Sequence, residues 1–259
     1  YPLSVAPAIR IAEHPGTPCV LASPLPTRPE GTRPADPPPD DRVNILLVDD
    51  EPGMLRYIRT LLEVDDYKVA TASTGEEALD RVQKGLQPDL VLCLHFNAEG
   101  WGDPSKPILI DNNHLHLLVN GSYLPEELEF DDERFEMIRR LLSQAYGEEL
   151  PLADSVAQAM AKATGLPSYQ YPTTLTTTKV GSTGYVYARN LLATRIYRCP
   201  VVYCEPYVMN SQDAFARIQA GDYEGTRNIN GVERKSIFRE YADSVAEGLA
   251  EYYSENRGL

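Results

Sequence analysis

The 259-residue chain carries 38 Asp and Glu against 24 Lys and Arg, a formal net charge of −14, and such an acidic field excludes a general nucleic-acid binder, which needs clustered cations for phosphate. Its apolar fraction of 42% is that of an ordinary globular protein with enough residues for one large core or two modest ones. Cys19, Cys93, Cys199 and Cys204 form no CxxC pair, which argues against a disulfide framework or a cysteine zinc site, and no run of about eighteen apolar residues offers a membrane-spanning helix.

Residues 1–41 are crowded with proline and end in Pro37-Pro38-Pro39, so they read as an extended tail or linker in which His14 is solvated. The chain starts at Tyr1 without the basic start and apolar stretch of a secretory signal, and is read as a mature form or a fragment. Order is expected from Val43. Val43–Val48 is apolar except for Asn44, the pattern of a strand buried on both faces, and it delivers the acids Asp49, Asp50 and Glu51. Pro52 suits the first turn of a helix, and Met54, Tyr57, Ile58, Leu61 and Leu62 follow at helical spacing. Tyr67–Ala72 reads as a second strand, Ser73 or Thr74 caps a helix striped by Ala78, Leu79 and Val82, and Leu90–Phe96 reads as a third buried strand ending near His95.

Beyond Trp101 the pattern is less regular and contains His114 and His116, whose i, i+2 spacing puts both on one side only in an extended segment. Helices are expected over Asp131–Tyr146 and Leu152–Thr164, the second ending at Gly165 with Pro167 beyond. The Thr-rich stretch Tyr169–Thr183 reads as a loop, Tyr185–Tyr197 as a helix, Val201–Cys204 as a short strand delivering Glu205, and Ile237–Tyr253 as a closing helix. Strand–helix alternation with short connections predicts a doubly wound, mostly parallel α/β sheet with helices on both faces. Its carboxyl edge would collect Asp49, Asp50, Glu51 and His95.

Ile45-Leu46-Leu47-Val48-Asp49-Asp50-Glu51-Pro52, Thr74-Gly75-Glu76-Glu77-Ala78-Leu79 and Pro88-Asp89-Leu90-Val91-Leu92 together resemble the first half of a response-regulator receiver domain, over about 43–92. The resemblance implies a phosphorelay signalling module, cytoplasmic, with magnesium held at Asp49 and Asp50. Where the phosphoacceptor aspartate is expected stands Leu94, which has no oxygen to phosphorylate, so no phosphoacceptor is assigned. The acids alone also read as ordinary carboxylates at a helix amino terminus.

From about Asp89 to Tyr253 a second resemblance takes over. Leu94-His95-Phe96-Asn97-Ala98 and Pro200-Val201-Val202-Tyr203-Cys204-Glu205-Pro206-Tyr207-Val208-Met209-Asn210 are similar to two signature elements of the zinc-dependent N-acetylmuramoyl-L-alanine amidases. This implies a cell-envelope or secreted hydrolase acting on peptidoglycan, with His95 as a zinc ligand and Glu205 as the catalytic carboxylate. Asn97, Tyr207 and Asn210 would position those groups or line the cleft. The histidine that the family carries in its first-strand loop is replaced here by Asp49-Asp50-Glu51, so those acids, His114 and His116 are the alternative donors.

The two resemblances meet between Gln87 and Cys93, and the chain reads as a recombinant: a tail at 1–41, a receiver-like half at 42–92 and an amidase-like half at 93–259. The leading expectation is an amidase; the alternatives are a receiver-like signalling module and an inactive α/β protein that binds glycan or a partner through Trp101 and its tyrosines.

Overall fold

The first three apolar runs pair as parallel strands, β1 (Asn44–Val48), β2 (Lys68–Ala72) and β3 (Leu90–Leu94), in the computed structural model, which describes residues 41–100, 106, 108–172 and 176–257. The Pro-rich stretch with His14, and Trp101, lie outside the described residues. β4 (Leu115–Val119), β5 (Thr178–Val180), β6 (Val186–Ala188) and β7 (Val201–Pro206) complete a seven-stranded sheet of order β2-β1-β3-β7-β4-β6-β5. β7 runs parallel to β3, β4 runs antiparallel to β7 but parallel to β6, and β5 is antiparallel to β6. The mostly parallel sheet is as expected.

Helices cover both faces, as the near-continuous apolar strands demand. On one face α1 (Pro52–Val64), α4 (Tyr146–Thr164) and α7 (Ile237–Arg257) pack with Ile45, Leu47, Leu92 and Leu117. On the other, α2 (Gly75–Gln83) and α5 (Leu192–Ile196) cover Leu46, Val91 and Val201. α1 begins where Pro52 fills the first turn and the Glu51 carboxylate accepts from Gly53 N at 3.0 Å. Thr74 caps α2 through Glu77 N, and Glu77 returns a carboxylate oxygen to Ser73 N at 2.8 Å. α4 ends at Gly165 with φ of 67°, a left-handed cap suited to glycine. α4 and α7 touch at Gly248, where a Cβ would lie 2.5 Å from Val156 Cα.

Elsewhere the chain departs from the pattern reading. The expected helix over Tyr185–Tyr197 is strand β6 followed by the single short helix α5. Val186 and Tyr187 are strand formers, and the pairing of Val186–Ala188 with Leu117–Val119 outweighs helical periodicity. α4 starts at Tyr146, upstream of the expected Leu152, and runs through Pro151. Its first turns are held by buried Glu149, which accepts from Asn120 N at 2.8 Å and Val201 N at 3.0 Å and pairs with Arg140. α3 (Asp131–Ser143) forms as expected but stops at left-handed Gln144.

Strands β4 and β5, helix α6 (Gln212–Gln219) and the hairpin β8 (Thr226–Ile229) with β9 (Val232–Lys235) were not expected. The hairpin turns through Asn230-Gly231, both at positive φ, the dipeptide that suits a tight turn.

Candidate functional site

The site is built where three strands end side by side. β3 and β7 are parallel with Leu94 opposite Cys204, and His95 N donates to Cys204 O at 3.0 Å, so His95 and Glu205 leave the sheet as neighbours. β4 runs the other way, and its His116 stands directly opposite Glu205, which puts their side chains on the same face. The outcome is one carboxylate between two imidazoles. His116 Nε2 lies 2.8 Å from Glu205 Oε2, and His95 Nδ1 lies 3.6 Å from Oε1.

His114 precedes β4 by one residue, and the chain there is extended, so it lies on the same side as His116. The two histidines are 2% and 1% exposed. His114 Nε2 meets Glu99 Oε1 at 2.8 Å, and Asn112 donates to the other Glu99 oxygen at 2.7 Å. Alongside runs a second extended segment, tied by Leu115 N to Pro167 O and Tyr169 N to Leu115 O. It lays the Tyr169 ring against His114 with centroids 4.2 Å apart, and it brings the Tyr171 hydroxyl within 3.0 Å of His116 Nε2.

Burial works against the Glu205 carboxylate, but the hydrogen bond and charge of His116, with His95 and Arg189 beside it, hold its pKa below the usual carboxylate range. Glu99 behaves alike, burial being outweighed by Asn112 and His114. For His114 burial wins over Glu99, and its pKa falls; a neutral imidazole donates from Nε2 to Glu99, and its buried Nδ1 has no hydrogen-bond partner among the described residues. Burial drives the Tyr171 hydroxyl upward, so it stays protonated as a donor.

The loop acids separate. By strand alternation Asp49 turns toward the face of Ile45 and Leu47, and Asp50 follows in the bend beyond the strand end. Asp49 is buried, accepts from Glu51 N at 2.7 Å, and burial raises its pKa to about 7 against that bond, with Asp50 and Glu51 adding to the rise. Asp50 and Glu51 are exposed. With His95 all three line a cavity of about 340 Å³ floored by Phe96 and Phe238.

The donor set does not fit a zinc of three protein ligands. Among the described residues no three His, Cys, Asp or Glu side chains converge as a metal site: both Glu205 oxygens face histidines, and the Glu51 carboxylate caps α1. Asp49 and Asp50, the expected magnesium pair, line the same cavity as His95, Asp49 buried and Asp50 exposed, and Leu94 packs in the apolar core where a phosphoacceptor is expected.

Two residues expected at the cleft are placed elsewhere. Tyr207 is buried at a left-handed φ of 68°, its hydroxyl donating to Glu240 at 2.6 Å. Asn210 is fully buried and pins a loop, accepting from Glu99 N and donating to Glu99 O and Ile108 O. Both therefore shape the site from behind, Asn210 by fixing the backbone of Glu99. Asn97 is half-buried, bonded through Oδ1 to Ala98 N and bridged to Val208. Glu99, Tyr169 and Tyr171 were missed; the one signal for the tyrosines is that they share the i, i+2 spacing of His114 and His116.

Residues 45–93 match the response regulator receiver domain family. Among solved structures, a response regulator receiver domain protein from Clostridium thermocellum is 36% identical, covering 20% of this chain and 42% of its own, with a TM-score of 0.19. A conserved protein of unknown function is 10% identical, covering 82% of this chain and 63% of its own, with a TM-score of 0.34. The chain thus spans less than two thirds of the length of either. No curated protein matches it.

Proposed function

We propose that the chain is a receiver-like α/β protein without a phosphoacceptor that performs acid–base hydrolysis at Glu205, on amide bonds of the kind found in cell-wall peptides. The observation that carries this reading is the Glu205 carboxylate set between His116 at 2.8 Å and His95 at 3.6 Å, on a strand edge where His95 opens into a cavity. A carboxylate held ionised by its neighbours takes a proton from water as the water oxygen bonds to the amide carbon. The same proton then passes to the leaving nitrogen as the C–N bond breaks. His116 Nε2–H is already given to Glu205, so the Tyr171 hydroxyl, its oxygen 3.0 Å from that nitrogen, is the donor that would steady the oxyanion formed between those steps. The amide and cell-wall assignment rests on the His95–Asn97 and Glu205–Asn210 motifs alone.

Zinc stays within this proposal as a question for the same protein. The donors nearest His95 are Glu205 Oε1, 3.6 Å away, and the acids Asp49, Asp50 and Glu51 that line its cavity; elemental analysis of wild type beside His95→Ala decides it. The hydrolytic test is release of new amine from peptidoglycan by the purified chain, wild type against Glu205→Gln. Loss of about 100-fold or more in the variant is expected. Wild-type protein that releases nothing, or a variant as active as wild type, ends the proposal.

The match over residues 45–93 favours a second reading, a receiver-like signalling module with magnesium at Asp49 and Asp50. The family match bears on this reading and not on the substrate of the first. Acetyl phosphate with magnesium tests it: a stable acyl phosphate mapped to Asp49 or Asp50 would establish phosphoryl transfer, and unlabelled protein would leave the receiver-like half as scaffold.

A further inference from the structure

α3 turns its apolar stripe away from its own core. Phe135, Ile138 and Leu142 recur at i, i+3, i+7 as a single seam, and they are 66%, 51% and 79% exposed. Arg140 is the one buried residue of the helix. Phe130 and Leu141, both exposed, widen the patch. Beside the seam lies a cavity of about 680 Å³ where α3, the start of α4 and the β5–β6 edge meet, walled by Tyr123, Met137, Leu141, Tyr146 and Val180. Leu141 belongs to both, as shoulder of the ridge and wall of the groove.

We propose that this face is an interface between two copies of the chain, related by a two-fold axis, with the α3 seams packed antiparallel and each ridge seated against the other's groove. A second copy is the occupant because a convex ridge and a concave groove lie side by side on one surface, the self-complementary arrangement that an isologous contact needs. The area agrees. Phe130, Phe135, Ile138, Leu141, Leu142 and Tyr146 together leave on the order of 700–800 Å² uncovered, beyond the roughly 300–600 Å² of the largest patch on a typical monomer and close to the ~800 Å² each partner gives a standard interface.

The rim also bears on the choice. Glu126, Glu129, Asp131 and Asp132 are exposed around the amino end of α3, which antiparallel packing keeps away from the same acids of the other copy, while the chain's net charge of −14 makes two copies repel overall as their seams attract. Salt screens the repulsion and leaves the apolar contact intact. Self-association therefore tightens as salt rises, whereas a basic partner would bind this face less tightly.

The test is sedimentation velocity on the full chain across about 1–100 µM, at low salt and at about 0.5 M salt. A monomer–dimer equilibrium that tightens with salt is expected. Phe135→Glu with Leu142→Glu should weaken it by about 100-fold or more while circular dichroism and melting stay at wild-type values, because both side chains are exposed. Ile138→Cys, in the middle of the seam, should give a disulfide-linked dimer under an oxidant that leaves wild type unlinked. Wild type that stays monomeric at the highest concentration in high salt, a dimer indifferent to the double variant, or association that weakens with salt would each overturn the proposal.

Discussion

His116 and Glu205 face each other across the antiparallel β4–β7 pair, Nε2 to Oε2 2.8 Å apart, so strand register sets the distance between imidazole and carboxylate. Both lie on strands of a seven-stranded sheet, a more rigid support than loops give. Removing His116 should therefore change the protonation of Glu205 more than its position. Burial alone pushes that carboxyl up, and His116 is first among the groups that bring it below its usual range. In His116→Ala the Glu205 pKa should rise, read by carboxyl-carbon NMR with labelled glutamate. If hydrolysis is confirmed, the acid limb of its pH profile should move to higher pH by about a unit or more. A Glu205 titration that does not move would show that the pair is not coupled as its geometry implies.

Asp49 gives a pH dependence of stability that needs no activity to measure. Its pKa is raised from 3.8 to about 7 in the folded chain, so the folded state binds the proton more tightly than the unfolded state. The stability from this proton is complete below the unfolded pKa, falls as pH rises through the interval, and is gone above about 7. With about 1.4 kcal/mol per pKa unit the total is on the order of 4 kcal/mol. Asp49→Asn keeps an oxygen for Glu51 N and carries no charge, so urea midpoints should lose that slope between about pH 4 and 7. The variant should be the more stable protein at pH 8. A wild-type slope unchanged by the substitution would contradict a buried, proton-binding Asp49.

The receiver-like half was legible in the sequence because its signals are local. Pro52 after Glu51, Thr74 three residues before Glu77, and uninterrupted strands such as Leu90–Leu94 state element type within a few residues. The later half was less so. β6 is short, and Val186–Ala188 is a strand because Leu117–Val119 lies beside it, a fact of tertiary pairing that periodicity does not carry. The site shows the same division. His95 and Glu205 were singled out from motifs on strand ends and stand side by side in the structure, while Glu99 reaches His114 through a loop held by buried Asn210, and no spacing in the sequence announces that.

Gly248 is a close-approach glycine in the middle of α7. A methyl group there would lie 2.5 Å from Val156 Cα and 2.9 Å from Val156 N, both backbone, so the strain cannot be relieved by turning a side chain. Ser155 Oγ donating to Gly248 O at 2.8 Å fixes the same contact. Gly248→Ala, helpful in an isolated helix, should here destabilise by roughly 1–3 kcal/mol as α4 and α7 separate, measured as a lower urea midpoint. A stabilised variant would mean that the two helices do not meet this closely.

The Arg140–Glu149 pair should respond unequally to loss of its two members. Glu149 serves three donors at once: the Arg140 guanidinium and the backbone N–H groups of Asn120 and Val201. Those amides lie at the ends of β4 and β7, so Glu149→Ala leaves a cation and two buried amides without their acceptor, and should cost roughly 3–5 kcal/mol. Arg140→Met removes one donor from a carboxyl whose pKa burial already raises. That group can take up a proton instead of remaining an uncompensated charge, and it keeps both backbone bonds. Arg140 also donates to Cys199 O at 2.6 Å, so its loss is not free, but it should cost less than the loss of Glu149 and should shrink further as pH is lowered. Thermal melts of both variants at about pH 5 and 8 check the order; Arg140→Met as the more damaging change at both would place the anchoring role on the guanidinium instead.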